Sequence, residues 1–118
     1  MNPEELIYHI EKTAENIPSI LVRRALRLMM FHRVTDRTIR IVRYCLAIEK
    51  LGLPLTTHLL SYLFYRKVDH TTRSNILRFL HLLGDKHVLT LVRESKGKTY
   101  RWVISPLFKR MLEEAKKI

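Results

Sequence analysis

The stretch DHTTRSNILRFLHLLGDKHVLTLVRESKGKTYRWVIS, residues 69–105, decides the fold. Asp69, followed by His70 and Thr71, is a helix start, because a short acceptor side chain takes up a backbone N–H that the first turn leaves unpaired. At 100° per residue Ile76, Phe79, Leu80 and Leu83 fall on one side, which predicts a helix to Leu83. Gly84 is expected to stop it, being the residue that most readily turns left-handed. Residues from Val88 to Arg93 and from Thr99 to Ser105 are rich in β-branched and aromatic types, and Ser95, Lys96, Gly97 and Lys98 supply a turn between them. A two-stranded hairpin is expected there.

Two more helices lie immediately upstream. Thr35 or Asp36 caps one that runs to about Leu51, with Ile39, Val42 and Leu46 as its core stripe and Gly52 at its end. Thr56 or Thr57 caps a shorter one, with Leu59, Leu60, Leu63 and Phe64 facing inward, ending near Arg66 or Lys67. Earlier still, Asn2 before Pro3, Glu4 and Glu5 starts a helix whose apolar positions keep helical spacing until Pro18. Ser19 to about Arg33 reads as a second helix, apolar around most of its circumference except for Arg23, Arg24 and Arg27. After the hairpin, Ser105 and Pro106 restart a helix with Leu107, Phe108, Met111, Leu112 and Ala115 on one face.

Three helices and a hairpin within about 70 residues resemble the winged helix-turn-helix of bacterial and archaeal regulators. Ser74, Asn75, Ile76, Leu80 and Leu83, then Gly84 and Val88, look like a recognition helix leading into a wing. Regulators of this type often carry Gly just before the first wing strand, where this chain has His87. The expected fold is mainly α with a small β-hairpin: a helical extension over 1–34 for dimerisation or packing, a winged helix-turn-helix over 35–105, and an amphipathic helix over 106–118.

Composition points to the partner. Twenty-two Lys and Arg against 11 acidic residues give +11, a field that draws polyanions by neutralising phosphates and releasing counterions. A basic surface that only confers solubility and attraction to an anionic membrane are the weaker readings. Met1 to Glu5 lack a signal peptide's pattern and no apolar run reaches the roughly 20 residues of a bilayer span, so a cytoplasmic, nucleoid-associated protein is expected. The absence of Gln is compatible with a thermophilic source.

Specific residues follow from the geometry of the fifth helix, where Thr71, Ser74, Arg78 and His81 project opposite the core. Ser74, Asn75 and Arg78 are the expected base readers, since Arg pairs with guanine O6 and N7, Asn with adenine N6 and N7, and Ser with either base edges or phosphates. Thr71, Thr72, Arg73 and His81 are expected on the DNA backbone, together with Arg37, Arg40 and Arg43. These last belong to a run of seven arginines and one acidic residue between Arg23 and Arg43. Arg93, Lys96, Lys98 and Arg101 make the hairpin basic and suited to backbone or minor groove. The competing role for this run, above all for Arg23, Arg24 and Arg27, is intramolecular or intersubunit pairing with Glu4, Glu5, Glu11, Glu15, Glu113 and Glu114.

Other chemistries lack their residues. The six histidines and the single cysteine, Cys45, form no metal-ligand spacing, and no phosphate loop, nucleophile elbow or carboxylate pair is present. No enzymatic activity, cofactor or metal is expected. The leading expectation is a homodimeric transcription regulator on double-stranded DNA, with Leu107, Phe108, Met111 and Leu112 at the dimer interface and half-sites about 34 Å apart. The alternatives are a sequence-tolerant chromatin protein and a winged-helix adaptor that binds an acidic protein partner.

Overall fold

The computed structural model describes residues 2–94 and 99–118, the side chains of residues 93, 94, 99 and 100 excepted. Among the described residues the chain is mainly helical with a small β-hairpin. The order is α1 (Pro3–Glu15), α2 (Ser19–Leu28), α3 (Asp36–Lys50), α4 (Thr57–Tyr65), α5 (His70–Asp85), β1 (Leu89–Glu94), β2 (Thr99–Ile104) and α6 (Pro106–Lys116). Helix starts follow the acceptor side chains: Asn2, Thr35, Thr56, Asp69 and Ser105 each take a backbone N–H from the first turn. Asp69 and Thr72 cap each other's backbone reciprocally, a capping box at the head of α5.

Helix ends depart from the sequence reading at two places. α2 stops at Leu28 rather than near Arg33, because Met30 takes a left-handed φ of 66° and the chain folds back. Its amide donates to Arg27 and that of Phe31 donates to Leu26, a Schellman closure without glycine. α5 runs through Gly84 to Asp85, and the left-handed residue is His87, at φ 63°. The His87 and Val88 amides close on Gly84 and Leu83 in the same way. Gly52, at φ 72°, ends α3 by this motif with the residue expected for it.

Packing explains why Gly84 is glycine although its backbone does not require one. A Cβ there would sit 2.9 Å from Cζ3 of the buried Trp102. The hairpin pairs antiparallel, Leu89 opposite Ile104 and Leu91 opposite Trp102, and Leu55 adds an isolated bridge to Trp102 just ahead of α4. Val88, Leu89, Trp102 and Ile104 thereby join Ile76, Leu80 and Leu83 in one core.

The terminal helices share that core. α1 and α2 pack on α3, and α6 packs on α2. Ser105 links hairpin to α6, its hydroxyl donating to the His87 carbonyl at 2.6 Å while accepting from the Phe108 amide at 3.0 Å. Glu49 of α3 accepts from the Ile104 amide at 3.0 Å and pairs with Lys109 at 2.6 Å. Phe108, expected at a dimer interface, is instead fully buried within its own chain. Met111 and Leu112 are half-buried against the same core, and Leu107 is exposed.

Gly84→Ala is expected to destabilise the protein. Ala ordinarily gains about 1 kcal/mol over Gly inside a helix, but here the displaced indole costs about 1–3 kcal/mol. A chemical-denaturation midpoint at or above wild type would show that Trp102 yields freely.

Candidate nucleic-acid interface

α5 presents its outward side between two grooves. On one flank Asn75, Arg78, Phe79 and Leu82 of α5 meet Arg37 of α3 around an open groove of about 480 Å³. On the other flank Leu77 and His81 of α5 meet Leu55, Thr56, Thr57, Leu91, Arg101 and Trp102 around one of about 330 Å³. Two of the three expected base readers, Asn75 and Arg78, thus converge with an expected backbone contact, Arg37, while Ser74 does not line this groove. Ser74 and Asn75 are half-buried, whereas Thr71, Arg73 and Arg78 are exposed. Neither Arg73 nor Arg78 forms an ion pair among the described residues.

The arginines of α3 divide by environment. Arg37 donates to the Tyr65 hydroxyl and lies 5.4 Å and 5.7 Å from the ring centres of Phe64 and Phe79. Arg40 lies 4.5 Å from Phe64 and 5.6 Å from Tyr44. Such stacking holds a cation without neutralising it. Arg43 differs: it is half-buried, and its Nε donates to the Ala14 carbonyl at 3.1 Å. That bond fastens the end of α1 to α3, so Arg43 is withdrawn from the backbone contacts expected of it.

Six further assignments change, fall elsewhere or lie beyond what is described. Thr72 is buried, and its hydroxyl serves the Asp69 cap rather than a ligand. His81 is exposed but stands edge-on to Trp102, ring centres 5.2 Å apart, on the flank away from Arg37. Arg101 is exposed on that same flank. Lys96 and Lys98 lie outside the described residues, as does the side chain of Arg93.

Within the chain, Arg23 and Arg24 of α2 contact groups other than the six expected glutamates. Arg23 contacts Asp36 at 3.3 Å and the Val34 carbonyl at 3.2 Å, and Arg24 reaches the Ile118 carbonyl at 3.4 Å. Glu15, Glu113 and Glu114 pair with lysines of their own helices or helix ends. Glu11 instead holds Arg66 at 2.8 Å, and this hydrogen bond raises the guanidinium's pKa. Arg66 is left-handed, at φ 62°, in the α4–α5 turn, so α1 anchors the turn that aims α5.

The Asp69 carboxyl is held below its ordinary range by the hydrogen bond from the Thr72 amide. Among the described residues no group of three His, Cys, Asp or Glu side chains is placed to hold a metal ion. No described helix is long and apolar enough to cross a membrane.

Sequence reasoning missed the aromatic platform of Phe64, Tyr65 and Phe79 and the exposed Leu82. No local spacing signalled that platform; only the Arg40–Tyr44 contact, one turn apart in α3, was legible. The chain matches no protein-family model, no curated protein and no solved structure.

Cys45 is fully buried in α3, and burial pushes its thiol from 9.0 up to about 12. The raised value makes its contribution to stability complete below pH 9 and lost as pH rises towards about 12. Iodoacetamide at pH 8 is expected to leave the native thiol unmodified and to label it in denaturant; rapid native labelling would contradict this burial.

Proposed function

We propose that the protein binds double-stranded DNA as a winged helix-turn-helix, without catalytic activity. In this reading α3, α4 and α5 form the tri-helical unit, β1 and β2 the wing, and α5 the helix that enters the major groove. One observation carries the reading: Arg78 projects from α5 with Asn75 beside Arg37, and neither arginine has a carboxylate partner among the described residues of a chain of charge +11. Two backbone details support the fold assignment. Leu55 bridges to the hairpin ahead of α4, and left-handed His87 stands where such proteins often carry glycine.

A transcription regulator located on the nucleoid fits this reading best, and a dimer would use Leu107 with the half-buried Met111 and Leu112. A second reading, an adaptor for an acidic protein, draws on the apolar share of the same surface. Leu77, Leu82 and Leu91 are 42%, 47% and 43% exposed around α5 and the hairpin.

Sequence selection with purified protein at two salt concentrations separates these readings. A regulator yields an enriched motif; a chromatin protein yields a flat profile with a steep salt slope. An adaptor yields no duplex binding. For the regulator, Arg78→Ala is expected to cost about 1–3 kcal/mol and to relax one base position, whereas Lys96→Ala weakens all sequences alike. Unchanged duplex affinity in both variants would leave the adaptor.

A further inference from the structure

Arg37 is held more firmly than an exposed arginine needs to be. Rings from two other helices, Phe64 of α4 and Phe79 of α5, stand within 6 Å of its guanidinium, and Tyr65 accepts one of its N–H groups. Arg40 shares the Phe64 ring, so the two guanidiniums lie within roughly 10 Å of each other, about one screening length in 0.1 M salt. Arg78 faces the same groove as Arg37. No carboxylate pairs with any of the three among the described residues. Like charges gathered without a counter-charge repel, and their arrangement is relieved by an anion.

The groove specifies which anion. Its polar lining residues are Arg37, Arg78 and Asn75; its apolar ones are Phe79 and Leu82. Guanidinium forks match the tetrahedral oxygens of a phosphate with paired, charge-assisted hydrogen bonds. A ring and an aliphatic side chain next to them suit the less polar faces of a sugar or base. At about 480 Å³ the groove has room for one nucleotide unit.

We propose that this groove is a nucleotide-unit site, in which Arg37 grips one phosphate and Phe79 and Leu82 receive the attached sugar, leaving Arg78 at the groove's other side for the base edge. The inference rests on the DNA-binding reading in taking that phosphate to be a phosphodiester of the duplex backbone. It adds a specific strand position along the α3–α5 flank and gives Arg37 the role of a clamp set before DNA arrives. Stacking fixes the fork in advance, so little side-chain freedom is lost on binding. A lysine would preserve the charge but neither the fork nor the stacking geometry.

The test compares a labelled 20-base-pair duplex with a free deoxynucleoside triphosphate as ligands, titrated in 0.1 M salt against wild type, Arg37→Gln, Arg37→Lys, Phe79→Leu and Arg110→Gln. Arg110 is an exposed cation of α6, so its variant controls for net charge. Duplex affinity is expected to fall about tenfold in Arg37→Gln, with the salt slope reduced by about one. Arg37→Lys should lose most of the same affinity, Phe79→Leu a smaller part, and Arg110→Gln less than about twofold.

Wild-type affinity in Arg37→Gln, full rescue by Arg37→Lys, or an equal loss in Arg110→Gln would overturn the site. Thermal melts of each variant identify any loss that is merely unfolding, and Phe79→Leu then carries the comparison. Binding of the free nucleotide alone, sensitive to Arg37, would uphold the groove and overturn the duplex reading. Binding of neither ligand by wild type would overturn both.

Discussion

Burial of α3 is the interaction on which the other elements depend. Thr38, Ile39, Ile41, Val42, Tyr44, Cys45, Ala47 and Ile48 are all buried, and at 100° per residue they pass around most of the helix. A helix buried on so many sides needs several covers. α1 and α2 supply one, and α4 with β2 supplies another. What remains open near its start is a strip bearing Arg37 and Arg40. Charge is thus concentrated beside α5 because the core has claimed the rest of α3.

The direction of α5 is set by what happens at its two ends. At its head, the capping box of Asp69 and Thr72 follows a left-handed Arg66, which Glu11 of α1 holds in place. At its tail, left-handed His87 turns the chain into β1, and Ser105 ties the His87 carbonyl to the head of α6. A left-handed conformation costs an ordinary L-residue about 1–2 kcal/mol, so Met30, Arg66 and His87 persist only because the surrounding bonds and packing hold them. Backbone strain here is localised at joints between elements, two of which bracket the candidate interface.

Arginine in this protein has two distinct roles that net charge conceals. Arg23, Arg43 and Arg66 work internally, on a carbonyl or carboxylate of another segment. Arg37 and Arg40 are supported by aromatic faces instead, which position them while leaving their charge available. The first group stabilises the fold against chain entropy. The second supplies the field and the fork that a phosphate would meet.

Element identity was legible in the sequence because it is local: caps at Asn2, Thr35, Thr56, Asp69 and Ser105, helical apolar spacing, and β-branched and aromatic runs for the two strands. Glycine as a stop signal worked at Gly52, where the backbone needs it, and misled at Gly84, where Trp102 needs the space. The outward side of α5, with Arg78 on it, also followed from local periodicity. Only tertiary structure showed that Phe108 is core, that Arg43 is bound to α1, and that Phe64, Tyr65 and Phe79 gather around Arg37. The Arg37 contacts join α3 to α4 and α5 across 27 to 42 positions of chain, and no periodicity within a single segment encodes which side chains meet across such a distance.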